Sequence, residues 1–475
     1  MQLKTKIAYN TIIQVASKFL STILGLITIA MITRYLGQDG FGEYTTIITF
    51  ISFFAVVADL GLTLISTQMI SIPGADENKI LSNLFSLRFV TALIFIGSAP
   101  LIVLFFPYSA TIKIGVLLVS MSFIFPALNQ ILVGLFQKKL RMDKVSIAEI
   151  VSRLILVLGT YYAIKYSHGL YGILVAMVIS SLINFIFHYL FSLKFAKVTF
   201  LFDFSLWHEI FKKCWPLAIT IVFNLIYLRA DTLILSLIKS QSDVGIYGAA
   251  YRVIDVLITI PFMFAGILLP VMTLSWAEKN LDAFKKILQK SFNVMSITII
   301  PIVIGAQFIG KEIMIFVAGD KFFQSGAVLM ILILAAGIIF ISTVFSHAII
   351  AIEKQKKIIW AYVFTSFTAL IGYLIFIPKY SYFGAAWITI YSELFIGLTS
   401  YLLVWKYTKF VPDIKVFLKS VLASIAMSIF LYFFTNIFNL YIILFFSIII
   451  YILSLYILKG ITKEDIYDLL NKSYE

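Results

Sequence analysis

The chain has 475 residues, of which 61% are hydrophobic and 13% charged, and its formal net charge is +14. A water-soluble chain is about half apolar and about a quarter charged, so this one has too little polar side chain to clothe soluble domains and too much apolar side chain for disorder. A soluble enzyme is excluded: lipid must be the solvent, and at about 20 residues per membrane-spanning helix the apolar content suffices for roughly fourteen spans.

The weakly basic start, MQLKTKIAYN, runs into an apolar stretch with no small-residue cleavage site before Thr33, so it reads as a retained first span. Apolar runs between charged or Pro/Gly breaks predict the first six spans at 11–33, 44–68, 87–107, 113–136, 146–166 and 169–192. In the loop that follows, SLWHEIFKKCWP predicts an interfacial helix. Its expected cap is Ser205, with Trp207 and Trp215 at headgroup depth and Lys212 and Lys213 toward anionic lipid. Eight more spans are predicted at 215–238, 247–275, 291–317, 327–350, 358–378, 382–404, 420–438 and 440–458. All should be helices, because a helix satisfies its own backbone in hydrocarbon and the runs are too long and unalternating for barrel strands. The expected architecture is an all-α polytopic membrane protein. Its parts are a six-helix lobe (1–193), an amphipathic linker (194–214), a second six-helix lobe (215–405), an extra helix pair (406–458) and a tail (459–475).

Basic residues divide sharply between alternate loops. One set holds 26, among them Lys79, Arg88, Lys139, Lys286 and Lys357; the other holds seven, and four (Lys18, Arg153, Arg229, Arg252) lie within spans. The positive-inside rule then places both termini and the basic loops in the cytoplasm. The charge is thereby explained as topology, and no nucleic-acid partner is expected. The single cysteine, Cys214, excludes disulfides and cysteine metal clusters, and His168, His188, His208 and His347 lack metal-ligand spacing. With no glycine-rich phosphate loop either, no cofactor is expected, and if the protein moves something the energy must come from a gradient or a partner.

A shift of 203 residues aligns Gly42 and Tyr44 with Gly245 and Tyr247, and Ser17, Ser21 and Thr28 with Thr220, Asn224 and Asp231. Six spans separate the copies, so the two halves point the same way, as a parallel repeat related by an axis along the membrane normal. Span 1 carries Asn10, Gln14, Ser17, Lys18, Ser21, Gly25 and Thr28 within an arc of roughly 100°. Span 7 carries Thr220, Asn224, Tyr227 and Asp231; span 5 carries Ser146, Glu149, Arg153 and Thr160; span 8 carries Arg252, Asp255 and Thr259. Such stripes either glue helices together or face a shared aqueous cavity.

A cation at mid-bilayer costs about 2.5–3.5 kcal/mol on insertion scales, so each buried one should face a partner or water. Arg153 has Glu149 one turn earlier and Arg252 has Asp255 three residues on; both pairs fit either ion pairing or cargo contact. Lys18 has no acid at helical spacing, and Arg229 lies nearly opposite the Asp231 stripe. Candidate cargo-facing residues are therefore Lys18, Arg252, Arg153, Asn10, Gln14, Ser21 and Asn224. Asp59, Asp231 and Asp255 are candidate carriers of a coupling proton or sodium ion; Glu393 is a further deep acid.

The segment RYLGQDGFGEYTTIITFISFFAVVADLGL (34–62) resembles the start of Wzx-type polysaccharide-unit flippases, members of the multidrug/oligosaccharidyl-lipid/polysaccharide (MOP) exporter superfamily. KKCWPLAIT (212–220) resembles the lysine–proline start of their seventh span, and IGKEIMIFVAGDKFFQSGAVLMILILA (309–335) their glycine-centred loop before span 10. The resemblance covers about 5–405 and implies alternating access by two six-helix lobes around a V-shaped chamber. The implied cargo is an undecaprenyl-diphosphate-linked repeat unit of O-antigen or capsule, with a polysaccharide polymerase as a partner. It also implies cations on spans 1, 2 and 8 near the diphosphate; Lys18 and Arg252 match the first and last, whereas span 2 offers Asp59 and no cation. The extra helix pair resembles one that guides the lipid tail.

Three alternatives stay open. A lipid II flippase or a cation-coupled drug exporter would share the fold, the latter with an acid-rich chamber built on Asp59, Asp231 and Asp255. A polysaccharide polymerase or ligase would carry a large periplasmic loop with catalytic arginines, against which the short outward loops argue.

Overall fold

The computed structural model describes residues 3–70, 76–435 and 437–461, which are helical apart from short connections and contain no strand. Thirteen α-helices follow one another. They are α1 (Leu3–Asp59), α2 (Leu62–Ile70), α3 (Glu77–Ile102), α4 (Ala110–Lys138), α5 (Met142–Lys165), α6 (Gly169–Ser192) and α7 (Phe204–Ile238), then α8 (Gln241–Ala277), α9 (Leu281–Ala318), α10 (Ser325–Ala351), α11 (Gln355–Thr408), α12 (Lys415–Phe434) and α13 (Leu440–Ile457). The tail beyond 461 lies outside the described residues.

Among the described residues, eleven helices are long and apolar enough to cross a membrane, and α7 makes a twelfth if its two parts, bent by 49° between Tyr227 and Arg229, form one span. Two of the eleven are double passes. The 54 residues of α11 would reach about 81 Å if straight, against roughly 30 Å of hydrocarbon, so a break is obligatory. It falls at Ser381 (φ 50°, ψ −134°), and in α1 at Gly37 (φ 67°, ψ −169°). Dividing both helices there brings the passes to fourteen, the predicted number. The ten-residue loop expected between spans 1 and 2 is instead helix on both sides of Gly37, because glycine takes a positive φ with no Cβ clash and one residue is enough to turn the chain.

Two compact units divide the chain at Gly248 and Ala249, within α8. In the first, α1 packs on α3, α4, α5, α6 and α7, while α4 and α5 both pack on α6. In the second, α10 packs on α9 and α11, and α12 on α9 and α13.

Span 2 is broken before its end, at Leu60 and Gly61, both left-handed (φ 49° and 80°). A break inside a membrane helix strands backbone carbonyls that lipid cannot satisfy. Arg88 of α3 fills this role. Its Nη1 donates to the Ala58 carbonyl at 2.9 Å and its Nε to the Ala127 carbonyl at 3.1 Å. Nη2 donates to Gln130 Oε1 at 2.5 Å, and Nη1 pairs with Asp59 at 2.9 Å. Thr63, in the first turn of α2, donates to Asp59 at 2.5 Å. Counted by sequence with the loop cations, Arg88 is in fact 2% exposed. Charge and position along the chain cannot distinguish a loop cation from one recruited to staple a broken helix.

The chain before α7 runs extended along α3, held by side chains rather than by a second strand. Backbone N–H groups of Lys197, Thr199, Leu201 and Asp203 donate to Asn78, Ser82, Ser86 and Asn83 respectively, at 2.8–3.1 Å. The Lys79 ammonium, 2.9 Å from Asp203 and donating to it, holds that carboxyl below the usual carboxylate range. Asp203 is also the N-cap of α7, accepting from Leu206 N–H at 3.2 Å, so the expected cap at Ser205 is corrected by two residues. The interfacial helix is continuous with span 7, and Trp207 is buried with Ile210 and Cys214 in the core around Leu81, Leu84 and Phe85. Trp215 is exposed, as an interfacial anchor should be.

A candidate cargo-binding edge

The polar stripe of the first half of α1 divides lengthwise. Setting Asn10 at 0° and advancing 100° per residue, Asn10, Ser17, Ser21 and Thr28 fall within about 20° of zero, and Gln14, Gly25 and Lys18 at about 40°, 60° and 80°. The first group is buried. Asn10 Oδ1 accepts the Met142 N–H at 2.9 Å, fixing the start of α5, and Thr28 returns its hydroxyl to the Leu24 carbonyl. Gln14 and Lys18, by contrast, are exposed. A Cβ added at Gly25 would sit 4.0 Å from Arg153 Nη1, so the Arg153 guanidinium of α5 lies against α1 at the glycine. Arg153 is exposed, and among the described ion pairs it is not joined to Glu149, although the spacing allows it. Gly25 is seven residues, or about 10.5 Å, along the helix from Lys18. The structure therefore brings Gln14, Lys18 and Arg153 to one open edge of the first unit and leaves Asn10 and Ser21 in the packing behind it. Two cations on such an edge can hold an anion; an uncharged guest would leave both unpaired.

Arg252 and Asp255 in the second unit are 3.7 Å apart and partly exposed, the structural pair that their spacing allowed. The side chains of Thr220 and Asn224 lie outside the described residues. Of the acids, Asp59 is engaged by Arg88 and Thr63. Asp231 is wholly buried, accepting from Tyr247 Oη at 2.5 Å and from the Thr232 N–H at 2.5 Å. Among the described residues, no group of three His, Cys, Asp or Glu side chains can hold a metal ion.

The repeat detected in sequence has a physical consequence within the first unit. A Cβ on Gly42 would strike the Gln241 carbonyl oxygen, and one on Gly245 the Gln38 carbonyl oxygen. These two contacts exchange under the same 203-residue shift, so α1 and the start of α8 cross backbone to backbone with local two-fold character. Around the crossing, Gln38 accepts from Ser242 at 2.9 Å, Thr46 donates to Gln241 at 2.8 Å, and Tyr108 and Ser236 hydroxyls meet at 2.7 Å. Gly42 and Gly245 were legible as a match; that they touch was not. Tyr108 and Arg88 carried no sequence signal, since neither lies on a stripe.

The second unit holds a cavity of about 660 Å³ lined by α9, α10, the second half of α11 and α12. Its walls, including Ile299, Val303, Ile338, Leu394, Leu398 and Val421, are almost entirely hydrocarbon, which suits an apolar chain better than a sugar.

Comparison with known proteins bears on the class. Residues 7–276 match the model of a family described as polysaccharide biosynthesis protein. A Staphylococcus aureus capsular polysaccharide biosynthesis protein, CapF, is 24% identical over 296 residues, covering 61% of this chain and 74% of that one. Among solved structures, the lipid II flippase MurJ in an inward closed conformation superposes with a TM-score of 0.75 at 20% identity, over 95% of this chain and 99% of that one. An inward-facing multidrug resistance MATE transporter of the MOP superfamily gives 0.66 at 11% identity, over 84% and 99%. The fold is thus that of MOP-superfamily transporters, and the chain belongs to the polysaccharide biosynthesis protein family, as a multi-pass membrane protein.

Proposed function

We propose that this protein is a flippase that moves undecaprenyl-diphosphate-linked oligosaccharide repeat units, of the O-antigen or capsular kind, across the bacterial cytoplasmic membrane by alternating access. The observation that carries this reading is the open edge of Gln14, Lys18 and Arg153, where two cations without ion-pair partners among the described residues match a diphosphate. The hydrocarbon-lined cavity supports it, because a polyprenyl tail needs an apolar berth that a free nucleotide sugar does not. The alternating distribution of basic loops supports cytoplasmic termini and hence loading from the cytoplasmic side. The relationship to a capsular polysaccharide protein favours a repeat-unit cargo. The fold of a lipid II flippase favours a second reading, lipid II itself, which offers the same diphosphate and tail beneath a different sugar.

Purified protein in vesicles, given fluorescent polyprenyl-diphosphate oligosaccharide or lipid II, separates the two by which cargo crosses faster. Flipping should need an imposed potential or an ion gradient and no ATP. An inside-negative potential contributes about 2.3 kcal/mol per uncompensated charge per 100 mV toward outward movement of an anion, and a proton or sodium ion on an acid such as Asp231 or Asp255 would reset the cycle. Full-speed one-sided accumulation with every gradient collapsed would refute the coupling; failure to move either cargo would refute the flippase reading.

Charge reversal at the edge should be severe. Lys18→Glu is expected to lower flipping at least tenfold with normal protein levels, and Lys18→Arg to be tolerated better than Lys18→Ala. Loss of the protein itself would mark Lys18 as structural instead.

A further inference from the structure

The kink at Ser381 folds α11 into a hairpin whose two ends lie together, and five lysines gather there. The Lys354 and Lys357 ammonium groups sit 5.4 Å and 5.1 Å from the centre of the Tyr407 ring. Lys357 also donates to the Tyr407 hydroxyl, and Lys409 lies 4.5 Å over Trp405. Lys356 and Lys406 are exposed beside them. In two cation clusters of the first unit a carboxylate stands between the charges: Glu77 for Lys138 and Lys139, Asp143 for Arg141 and Lys144. Among the described residues, none of these five lysines forms an ion pair with an acid within 4 Å, and the neighbouring Glu353 is exposed.

Sharing one ring, the Lys354 and Lys357 nitrogens are at most about 10.5 Å apart, little more than the Debye length of about 8 Å at physiological salt, so screening weakens their repulsion without abolishing it. The ring quadrupole offsets only part of it. Lys356 and Lys357 also stand in the first turn of α11, the positive end of its dipole, which worsens the balance. An anion between the ammonium groups would relieve this repulsion. Because both halves of α11 cross the membrane, the cluster lies at the end of a span, and the exposed Trp360 and Trp405 flank it as headgroup-level anchors do.

We propose that Lys354, Lys357 and Lys409, arrayed on Tyr407 and Trp405, form a binding site for the phosphate of an anionic phospholipid headgroup. The site is independent of the cargo edge on α1 and does not depend on what the protein transports. It would hold the end of the α11 hairpin at the membrane surface through a lipid rather than through a protein carboxylate.

Native mass spectrometry of the full chain, titrated with phosphatidylglycerol and with phosphatidylcholine of the same acyl chains, tests this. The wild type should retain phosphatidylglycerol at least fivefold more than phosphatidylcholine. The triple variant Lys354→Gln, Lys357→Gln, Lys409→Gln should abolish the preference, and the corresponding triple arginine variant should keep it within twofold. Lys285→Gln, Lys286→Gln, Lys290→Gln removes equal charge from α9, where no aromatic ring gathers the ammonium groups, and should leave retention within twofold. Equal loss in that control would mean bulk charge and overturn the site, as would unchanged retention in the α11 glutamine triple. Displacement of phosphatidylglycerol by millimolar inorganic phosphate would make it a free-anion site and overturn the lipid assignment.

Discussion

Arg88→Ala is expected to be among the most destabilising single changes in the first unit. It strands the Ala58 carbonyl, removes a second donor from the Ala127 carbonyl and leaves Asp59, 18% exposed, without its counter-charge at the break between α1 and α2. Breaking a buried pair from one side costs roughly 3–5 kcal/mol, and the thermal midpoint in detergent should fall by on the order of 10 °C. Pairing Arg88→Met with Asp59→Asn should recover part of the loss, since an uncharged pair need not be desolvated as ions. An unchanged midpoint in Arg88→Ala would mean the staple carries no load. Asp59→Asn alone also separates two roles: an acid that serves only the staple affects stability, whereas a coupling acid alters the gradient dependence of flipping in protein that remains folded.

The second large effect is expected at the α1–α8 crossing. At Gly42 and Gly245 even a methyl group would meet a main-chain carbonyl, which cannot rotate aside as a side chain can. Gly42→Ala or Gly245→Ala should therefore push the helices apart and break the Gln38–Ser242 and Thr46–Gln241 hydrogen bonds. The readout need not depend on transport. Cys214, the single native cysteine, is buried, so Ser242→Cys offers a reporter thiol, and its labelling by a polar maleimide should rise at least fivefold when Gly42→Ala is added. Flipping should fall at least tenfold in the same variant. Unaltered labelling and flipping would show that the crossing yields at no cost.

Much of the architecture was legible because it answers to one constraint. Hydrocarbon forces every spanning backbone into helix, so the length of apolar runs reports the number of passes almost directly. Kinks in place of loops at Gly37 and Ser381 were not legible, because one residue of positive φ leaves no composition signal. The side-chain clamp of α3 on 197–203 was hidden for a similar reason: Asn78, Ser82, Asn83 and Ser86 read as ordinary polar residues at a helix start until the extended chain is laid beside them.

For the candidate site the division is sharper. Sequence by itself determined that the protein lives in lipid, that it is helical, that it carries a 203-residue repeat, and that Lys18 stands on a polar stripe without an acid in helical reach. Periodicity gives the angular position of a side chain on its own helix and nothing about which neighbour covers that angle. Only the tertiary structure decided that Asn10, Ser17 and Ser21 face protein while Gln14 and Lys18, a few tens of degrees away, stay open. It alone decided that Arg88 serves a helix break, that Arg153 lies against Gly25 instead of pairing with Glu149, and that the repeated glycines touch. Each depends on residues far apart in the chain meeting at a few ångströms, and ion pairing, burial and steric fit act only at that range.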